Sequence, residues 1–208
     1  LWGVPADASL LRFINARAPK TNVDVGDIAD AMLIDARAET VVPRFYDRWL
    51  RLPTLMGVSR EPTRFPFWNA SVPQAMRDQV LAFAGDLTWS KTGTFANLLR
   101  TNIVPVPPAL APLYPQAVGG TAELDGRFHA GLLTMPARMT LGAHSRDHAP
   151  TIRGMQVLEQ VVCFTPPPPP PNVDVTPDIM PGETVRETLS RATSQGTCAA
   201  CHRLIDPP

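Results

Sequence analysis

The residues best able to do chemistry form one short motif near the end of the chain, Cys198-Ala199-Ala200-Cys201-His202. Two thiols three positions apart can each add to one vinyl group of the same porphyrin, and the following histidine can then bind the iron. The motif therefore predicts one covalently attached haem c, with Cys198 and Cys201 as the thioether residues and His202 as the proximal axial ligand. Because such attachment takes place outside the cytoplasm, it also predicts a periplasmic, extracellular or cell-surface location.

Three other interpretations of the cysteine pair stay open. Zinc also binds Cys-x-x-Cys pairs, but it needs two more ligands at suitable spacing, and neither Cys163 nor the remaining histidines supply a second half-site. A thioredoxin-type redox pair would open a helix within a βαβ unit, and no such unit is visible in the sequence. A chance match is the third interpretation, in a chain with only 3 cysteines.

The motif does not specify the sixth iron ligand. Candidates upstream of the motif are Met135, Met139, Met155, Met180, His129, His144 and His148. A ligand beyond Pro208 or on a partner protein is a further alternative. A methionine would raise the reduction potential relative to a second histidine, whereas an empty position would permit chemistry on a small molecule. The choice between an electron carrier and an enzyme therefore stays open at this point.

The elements that must position the motif are predicted to be helical. Apolar residues recur at helical spacing in several segments, and 24 prolines separate them. Helices are predicted over 5–18, around 28–33, and over 38–52, 73–89, 94–100, 150–163 and 184–193. Only 103–106 resembles a strand. The predicted fold class is mainly α, an irregular helical domain with long proline-rich connectors and a C-terminal cytochrome c-like haem-attachment segment.

Two parts of the chain differ in character. Residues 1–115 are predicted to form a helical domain, and residues 116–208 a loop-rich segment that contains the haem motif. The unbroken run Pro166–Pro171 in the second part must adopt polyproline II, either as a stiff strap across the surface or as a ligand for an aromatic-lined groove on a partner. Because the chain stops shortly after His202, we expect it to be a fragment of a longer protein.

Composition excludes several functional classes. The 19 basic and 19 acidic residues balance, so no basic excess is available to attract nucleic acid. No apolar run reaches the roughly 18 residues that a transmembrane helix needs. Nucleotide-binding glycine patterns and the G-x-S-x-G motif of hydrolases are also absent from the sequence. We expect partners to be other redox proteins or subunits of a larger complex, with no nucleic acid and no transmembrane segment in this chain.

Six stretches, in order along the chain, carry a family resemblance. They are Leu1-Trp2-Gly3, the helix end at 45–50, Gly131-Leu132-Leu133-Thr134, Pro150-Thr151-Ile152-Arg153-Gly154, the proline run with Asn172-Val173, and the haem motif followed by Leu204-Ile205-Asp206-Pro207. Together they resemble a family of exported bacterial proteins that carry domains of unknown function 1592 and 1588. The resemblance implies an exported, mostly helical protein associated with haem c, and it supplies no activity.

The resemblance adds two expectations about this chain. Relatives continue past the haem motif and carry further domains before the equivalent of Leu1, which supports the interpretation as a fragment. Met135 stands where relatives are expected to have Gln or His, and Met135 is therefore the predicted sixth ligand.

The function predicted from these observations is that of an exported c-type cytochrome subunit or domain. It would pass single electrons to or from partner proteins through the bound haem. Two alternatives remain, a structural or binding subunit of a larger extracellular or membrane-associated assembly, and a haem enzyme with an open iron site.

Overall fold

A computed structural model of the chain describes residues 1–16, 22–90, 93–169, 171 and 180–206, with only the backbone at 22–24. The protein is mainly α-helical, as the sequence predicts. Its α helices are α1 (Ala8–Asn15), α2 (Asn22–Leu33), α3 (Ala36–Trp49), α4 (Val72–Trp89), α5 (Phe95–Arg100), α6 (Pro136–Leu141), α7 (Pro150–Gln160), α8 (Val185–Thr193) and α9 (Cys198–Ile205). Short 3₁₀ helices lie at Leu52–Gly57, Pro108–Leu113 and Gly131–Thr134. No helix within the described residues is long and apolar enough to cross a membrane.

Helix α4 runs through the centre of the main core. It begins at Val72 with Pro73 in its first turn, where a missing N–H costs nothing. The stripe Met76, Val80 and Phe83 is buried against α3 and the 3₁₀ helix at 52–57. The side chain of Gln79, also buried there, donates to the carbonyl of Pro105 at 2.7 Å, so the polar group is not left unsatisfied.

The main core includes side chains from both sides of residue 115. Leu132, Met135 and Ala137 pack into the same cluster as the residues of α3 and α4. The indole N–H of Trp49 donates to the carbonyl of Gln160 at 2.6 Å and so ties the end of α3 to the end of α7. The division of the chain at residue 115 stays a prediction, but the two parts share one buried cluster.

A smaller cluster at the N-terminus explains the Leu-Trp opening of the sequence. Trp2 is buried with Leu10 and Ala38, and its indole N–H donates to the carbonyl of Met32 at 2.8 Å. The Arg37 guanidinium lies 3.4 Å from the Trp2 ring centroid, a cation–π arrangement. Trp2 thus holds α1, α2 and α3 together.

The predicted strand at 103–106 is confirmed, and it has a partner. Strand β1 (Ile103–Pro105) pairs antiparallel with β2 (Thr121–Glu123), with Val104 opposite Ala122. Between the two strands the proline-rich segment forms the 3₁₀ helix at 108–113 rather than an α helix, because its prolines lack the N–H groups that an α helix uses.

Gly131 shows why the Gly-Leu-Leu-Thr stretch needs its glycine. Its φ is +51°, and its N–H donates to the carbonyl of Thr101 at 3.0 Å. A Cβ at this position would lie 2.2 Å from the carbonyl oxygen of Leu98. Both the left-handed backbone and the close approach to α5 therefore require glycine.

The proline run leads from α7 towards α8. Residues 166–169 belong to no helix or strand, whereas Pro170 and 172–179 lie outside the described residues. Polyproline II geometry for the whole run therefore stays a prediction. Helix α8 then begins with a capping box, in which Thr184 and Glu187 satisfy each other's backbone N–H groups.

Candidate functional site

The cysteine–histidine motif forms a helix of its own. Cys198 is the first residue of α9, and Cys201 follows three positions later, so both thiols project from one face of the helix. Neither takes part in a disulfide, and both are partly exposed. Two free thiols on one partly exposed face of a helix can each form a bond to the same flat ligand.

His202 is oriented by a carboxylate one helical turn further on. Its Nδ1 lies 3.1 and 3.2 Å from the two carboxylate oxygens of Asp206, and the side chain is 24% exposed. An ionised carboxylate only accepts hydrogen bonds, so this contact favours the tautomer that carries its hydrogen on Nδ1. Nε2 then keeps its lone pair, and no hydrogen bond among the described residues uses that atom.

Two neighbouring helices hold the Asp206 carboxylate in turn. The hydroxyl of Thr193, at the end of α8, donates to one oxygen at 2.9 Å. The hydroxyl of Thr151, in the first turn of α7, lies 3.4 Å from the other oxygen. The histidine ring is therefore positioned through Asp206 by α7, α8 and its own helix.

Gly154 allows α7 to approach the end of α9 at backbone distance. A Cβ built on this residue would lie 1.7 Å from the carbonyl oxygen of Ile205. Ile205 itself is buried, and Asp206 follows it directly. This contact accounts for the glycine of the Pro150–Gly154 stretch, because any side chain there would displace the segment that carries Asp206.

The candidate sixth ligands are scattered over the fold. Met135 is 2% exposed and lies in the main core. Met139 is on α6, Met155 is half-buried on α7, and Met180 is exposed. The role of Met135 as sixth ligand stays a prediction. Among the described residues, no group of three or more His, Cys, Asp or Glu side chains is arranged to hold a metal ion.

The three other histidines line one cavity of about 510 Å³, together with Phe65, Trp68 and Tyr114. We call it the aromatic cavity. His129, His144 and His148 are brought together here, although the sequence gives no reason to group them. Arg60 also lines this cavity, and its guanidinium donates to the carbonyls of His144 and of Thr140, the latter at 2.6 Å. Burial lowers the pKa of Arg60.

A second cavity, of about 170 Å³, lies beside Asp206, the carboxylate that contacts His202. Asp206 lines it, together with Arg138 of α6, Arg153 of α7 and Arg186 of α8. We call it the arginine pocket. Sequence reasoning missed both the role of Asp206 and this pocket. The role of Asp206 could have been predicted, because a carboxylate four residues after a histidine lies one helical turn away from it. The three arginines are too far apart along the chain to have suggested a site.

The free cysteines and the oriented histidine fit a covalently bound haem. Cys198 and Cys201 form no disulfide and lie partly exposed on one face of α9, and the unbonded Nε2 of His202 is available as an axial ligand. The fold and the motif thus define a class, a mainly helical protein whose Cys-x-x-Cys-His sequence forms a helix packed against two others.

Comparison with known families confirms the two predicted domains of unknown function. The chain belongs to the family described as protein of unknown function (DUF1592), whose model matches residues 1–115. The model of a second family, also described as protein of unknown function (DUF1588), matches residues 129–208 and so covers the histidine motif. No curated protein and no solved structure matches the chain.

Proposed function

We propose that this protein is an exported c-type cytochrome subunit or domain that passes single electrons to or from partner proteins. Cys198 and Cys201 would hold the porphyrin through thioether bonds, and His202 would bind the iron through Nε2. When bound, haem c supplies a one-electron couple between ferric and ferrous iron. The observation that supports the proposal most strongly is the orientation of His202 by Asp206, because carboxylate partners of this kind typically orient histidines that ligate metals.

The protein residues around the motif have separate tasks in this proposal. The two cysteines prevent loss of the cofactor, so that a short helix of eight residues suffices to hold it. Asp206 keeps the hydrogen on Nδ1 of His202, and the hydroxyl of Thr193 keeps Asp206 in place. Because both cysteines of α9 are partly exposed, a partner redox protein could approach the cofactor directly.

The test is an absorption spectrum of the reduced protein as pyridine haemochrome, after production in cells that export the chain and attach haem c. We expect a c-type spectrum that survives acid-acetone extraction. The double substitution Cys198→Ala and Cys201→Ala should abolish it, whereas Cys163→Ala, at an exposed cysteine outside the motif, should not. A wild-type chain that carries no covalent haem after such production would refute the proposal.

Two alternatives are separated by further measurements on the same material. In a haem enzyme with an open iron site, carbon monoxide would bind the reduced protein without displacing a protein ligand. In an electron carrier with a complete ligand set, it would bind slowly or not at all. Absence of haem, together with recovery of the chain in a large assembly, would instead favour a structural or binding subunit.

A further inference from the structure

The arginine pocket brings together three cations from three different helices. Arg138 comes from α6, Arg153 from α7 and Arg186 from α8, and Asp206 forms one edge of the same cavity. Three positive charges and one negative charge leave a formal excess of two positive charges. Such a concentration is costly unless something negative shares the space.

Arg138 is the most deeply buried of the three. Its residue is 4% exposed, and its Nε has no hydrogen-bond partner in the part of the chain that the structure describes. One terminal nitrogen donates to the carbonyl of Leu50 at 3.5 Å, a long contact. Burial, reinforced by the charge of Arg51, lowers the pKa of Arg138 to about 10. A buried guanidinium with an unused donor is a group that lacks its partner.

The positive charges of Arg153 and Arg186 repel each other. Burial lowers the pKa of Arg153, and the charge of Arg186 lowers it further. A terminal nitrogen of Arg153 contacts the sulfur of Met139 at 3.3 Å, which is a weak acceptor. Within residues 1–16, 22–90, 93–169 and 180–206, none of the three arginines forms an ion pair.

Asp206, the one acid in the lining, forms no ion pair with any of the three arginines in the described part of the chain. Its carboxylate already accepts from Thr193 at 2.9 Å and from His202 at 3.1 Å. The two remaining polar side chains at the cavity, Gln156 and Thr134, carry no charge. Gln156 donates to the carbonyl of Leu141 and its buried Oε1 has no partner among the described residues, while Thr134 donates to the carbonyl of Gly131. The lining therefore has one carboxylate and one unpaired amide oxygen for three guanidinium groups, so positive charge and N–H donors predominate.

We propose that the arginine pocket binds an oxyanion, a carboxylate or a phosphate group. Guanidinium groups recognise both through paired N–H···O hydrogen bonds, and such bonds are stronger than neutral ones. The volume of about 170 Å³ admits a group of a few heavy atoms, and it lies well below the ~300–1,000 Å³ typical of sites for drug-sized molecules.

Two sources can supply this chemistry. One is a free oxyanion such as inorganic phosphate. The other is the pair of carboxylate groups on a porphyrin attached to α9. Only this second source rests on the proposed function. Comparing phosphate binding to the haem-free and the haem-loaded chain distinguishes the two sources, because porphyrin carboxylates in the pocket would exclude phosphate.

The experiment measures binding of inorganic phosphate by calorimetry, at constant ionic strength, to the chain produced without haem and to the haem-loaded chain. Thermal unfolding of both forms is recorded with and without phosphate. Arg186→Gln is the test variant because Arg186 is exposed and its loss does not open a cavity in the core. Arg100→Gln, at an exposed arginine outside the pocket, changes the net charge equally and is the matched control.

We expect phosphate to bind at least one form of the wild-type chain and to raise its unfolding temperature. Arg186→Gln should weaken this binding about ten-fold or more, as expected for loss of a charged hydrogen bond, and Arg100→Gln should leave it unchanged. Binding to both forms identifies a free oxyanion. Binding to the haem-free form alone, with a lower unfolding temperature for haem-loaded Arg186→Gln, identifies the porphyrin carboxylates.

The inference is overturned if neither form binds phosphate and Arg186→Gln affects unfolding no more than Arg100→Gln does. Equal weakening by the two substitutions would overturn it as well, because it would reveal a general charge effect. A chain that never acquires haem would refute the proposed function but would leave the phosphate measurement on the haem-free chain intact.

Discussion

Asp206 accepts hydrogen bonds from side chains of three helices. Thr151 belongs to α7, Thr193 to α8 and His202 to α9, and all three contact the one carboxylate. When a carboxylate accepts a hydrogen bond from one imidazole nitrogen, the ring becomes a stronger electron donor to a metal bound at the other nitrogen. Asp206 is therefore a positioning residue that also sets the electronic character of His202.

We expect Asp206→Asn to raise the reduction potential of the haem-loaded chain. The neutral amide is a weaker acceptor, so the imidazole would donate less charge and stabilise ferric iron less. Potentiometric titration measures the change, and Asp147→Asn, at an exposed aspartate paired with Arg64, is the control. In the haem-free chain, ¹⁵N spectra of His202 should show a smaller population of the Nδ1–H tautomer in Asp206→Asn than in the wild type. Equal potentials in the two variants would contradict the role assigned to Asp206.

At the scale of elements, the packing of α7 on α9 depends on a single glycine. Gly154→Ala would place a methyl group against the carbonyl of Ile205, a backbone atom that cannot rotate away. We expect a loss of about 1–3 kcal/mol in the free energy of unfolding, as for other overpacked sites, together with less haem attached per chain.

Gly85→Ala is the matched control for this substitution. Gly85 lies in α4, and a Cβ added there would meet no atom within 4 Å, so alanine should be neutral or stabilise by up to about 1 kcal/mol. Chemical denaturation followed by circular dichroism measures both variants. A Gly154→Ala protein as stable as Gly85→Ala would show that α7 and α9 are not in backbone contact.

An ion pair joins Glu183, just before helix α8, to Arg191 in the last turn of that helix. Arg191 donates to both carboxylate oxygens of Glu183 at 2.9 Å, and Thr188 donates to one of them at 3.0 Å. The hydrogen bonds from Arg191 are the largest cause that lowers the pKa of Glu183 from 4.5 to about 2. Because the folded-state pKa lies below the unfolded value, the stabilisation is present above pH 4.5 and is lost as the pH falls towards 2.

We therefore expect Glu183→Gln to reduce the acid sensitivity of the unfolding temperature between pH 4.5 and pH 2. At neutral pH the same variant should unfold at a lower temperature than the wild type, because the ion pair is then missing. Glu123→Gln, on β2, is the comparison variant. An unfolding temperature whose pH dependence is the same in wild type and Glu183→Gln would show that this ion pair does not stabilise the fold.

At the scale of the whole molecule, the segments matched by the two family models share a core. Leu132, Met135 and Ala137 are buried among the residues of α3 and α4. The hydrogen bond from Trp49 to the carbonyl of Gln160 is a second link between the two segments. We therefore expect the two segments to unfold cooperatively, because unfolding of one would expose the apolar core residues of the other to water.

We expect Trp49→Phe to lower the free energy of unfolding by about 0.5–1.5 kcal/mol, the usual net value of a hydrogen bond, while unfolding stays a single transition. Trp89→Phe, at a tryptophan that is 40% exposed, should cost less. Denaturation monitored by circular dichroism and by fluorescence tests this. Two separate transitions would show that the two segments unfold independently. Equal losses in the two variants would show that the hydrogen bond from Trp49 to Gln160 adds no stability.

Local features of this protein were predictable from its sequence. The sequence predicted the helix that carries Met76, Val80 and Phe83, the strand at 103–106 and the late helix at 184–193. The Thr184–Glu187 capping box of that late helix was seen only in the structure. The cysteine–histidine motif was equally easy to recognise in the sequence, because its three reactive residues lie within five positions on one helix. The sixth-ligand candidates were not resolved in this way, because a methionine serves equally well as a ligand and as core filler.

The sequence by itself determined the helical class and the reactive motif, since both depend on residues within a few positions of each other. Only the tertiary structure decided that Thr193 of α8 and Thr151 of α7 meet the carboxylate that orients His202. It also decided that Arg138, Arg153 and Arg186 converge on one small pocket. Such groupings depend on how helices distant in sequence pack, and that packing follows from the summed burial of a shared core rather than from any local pattern.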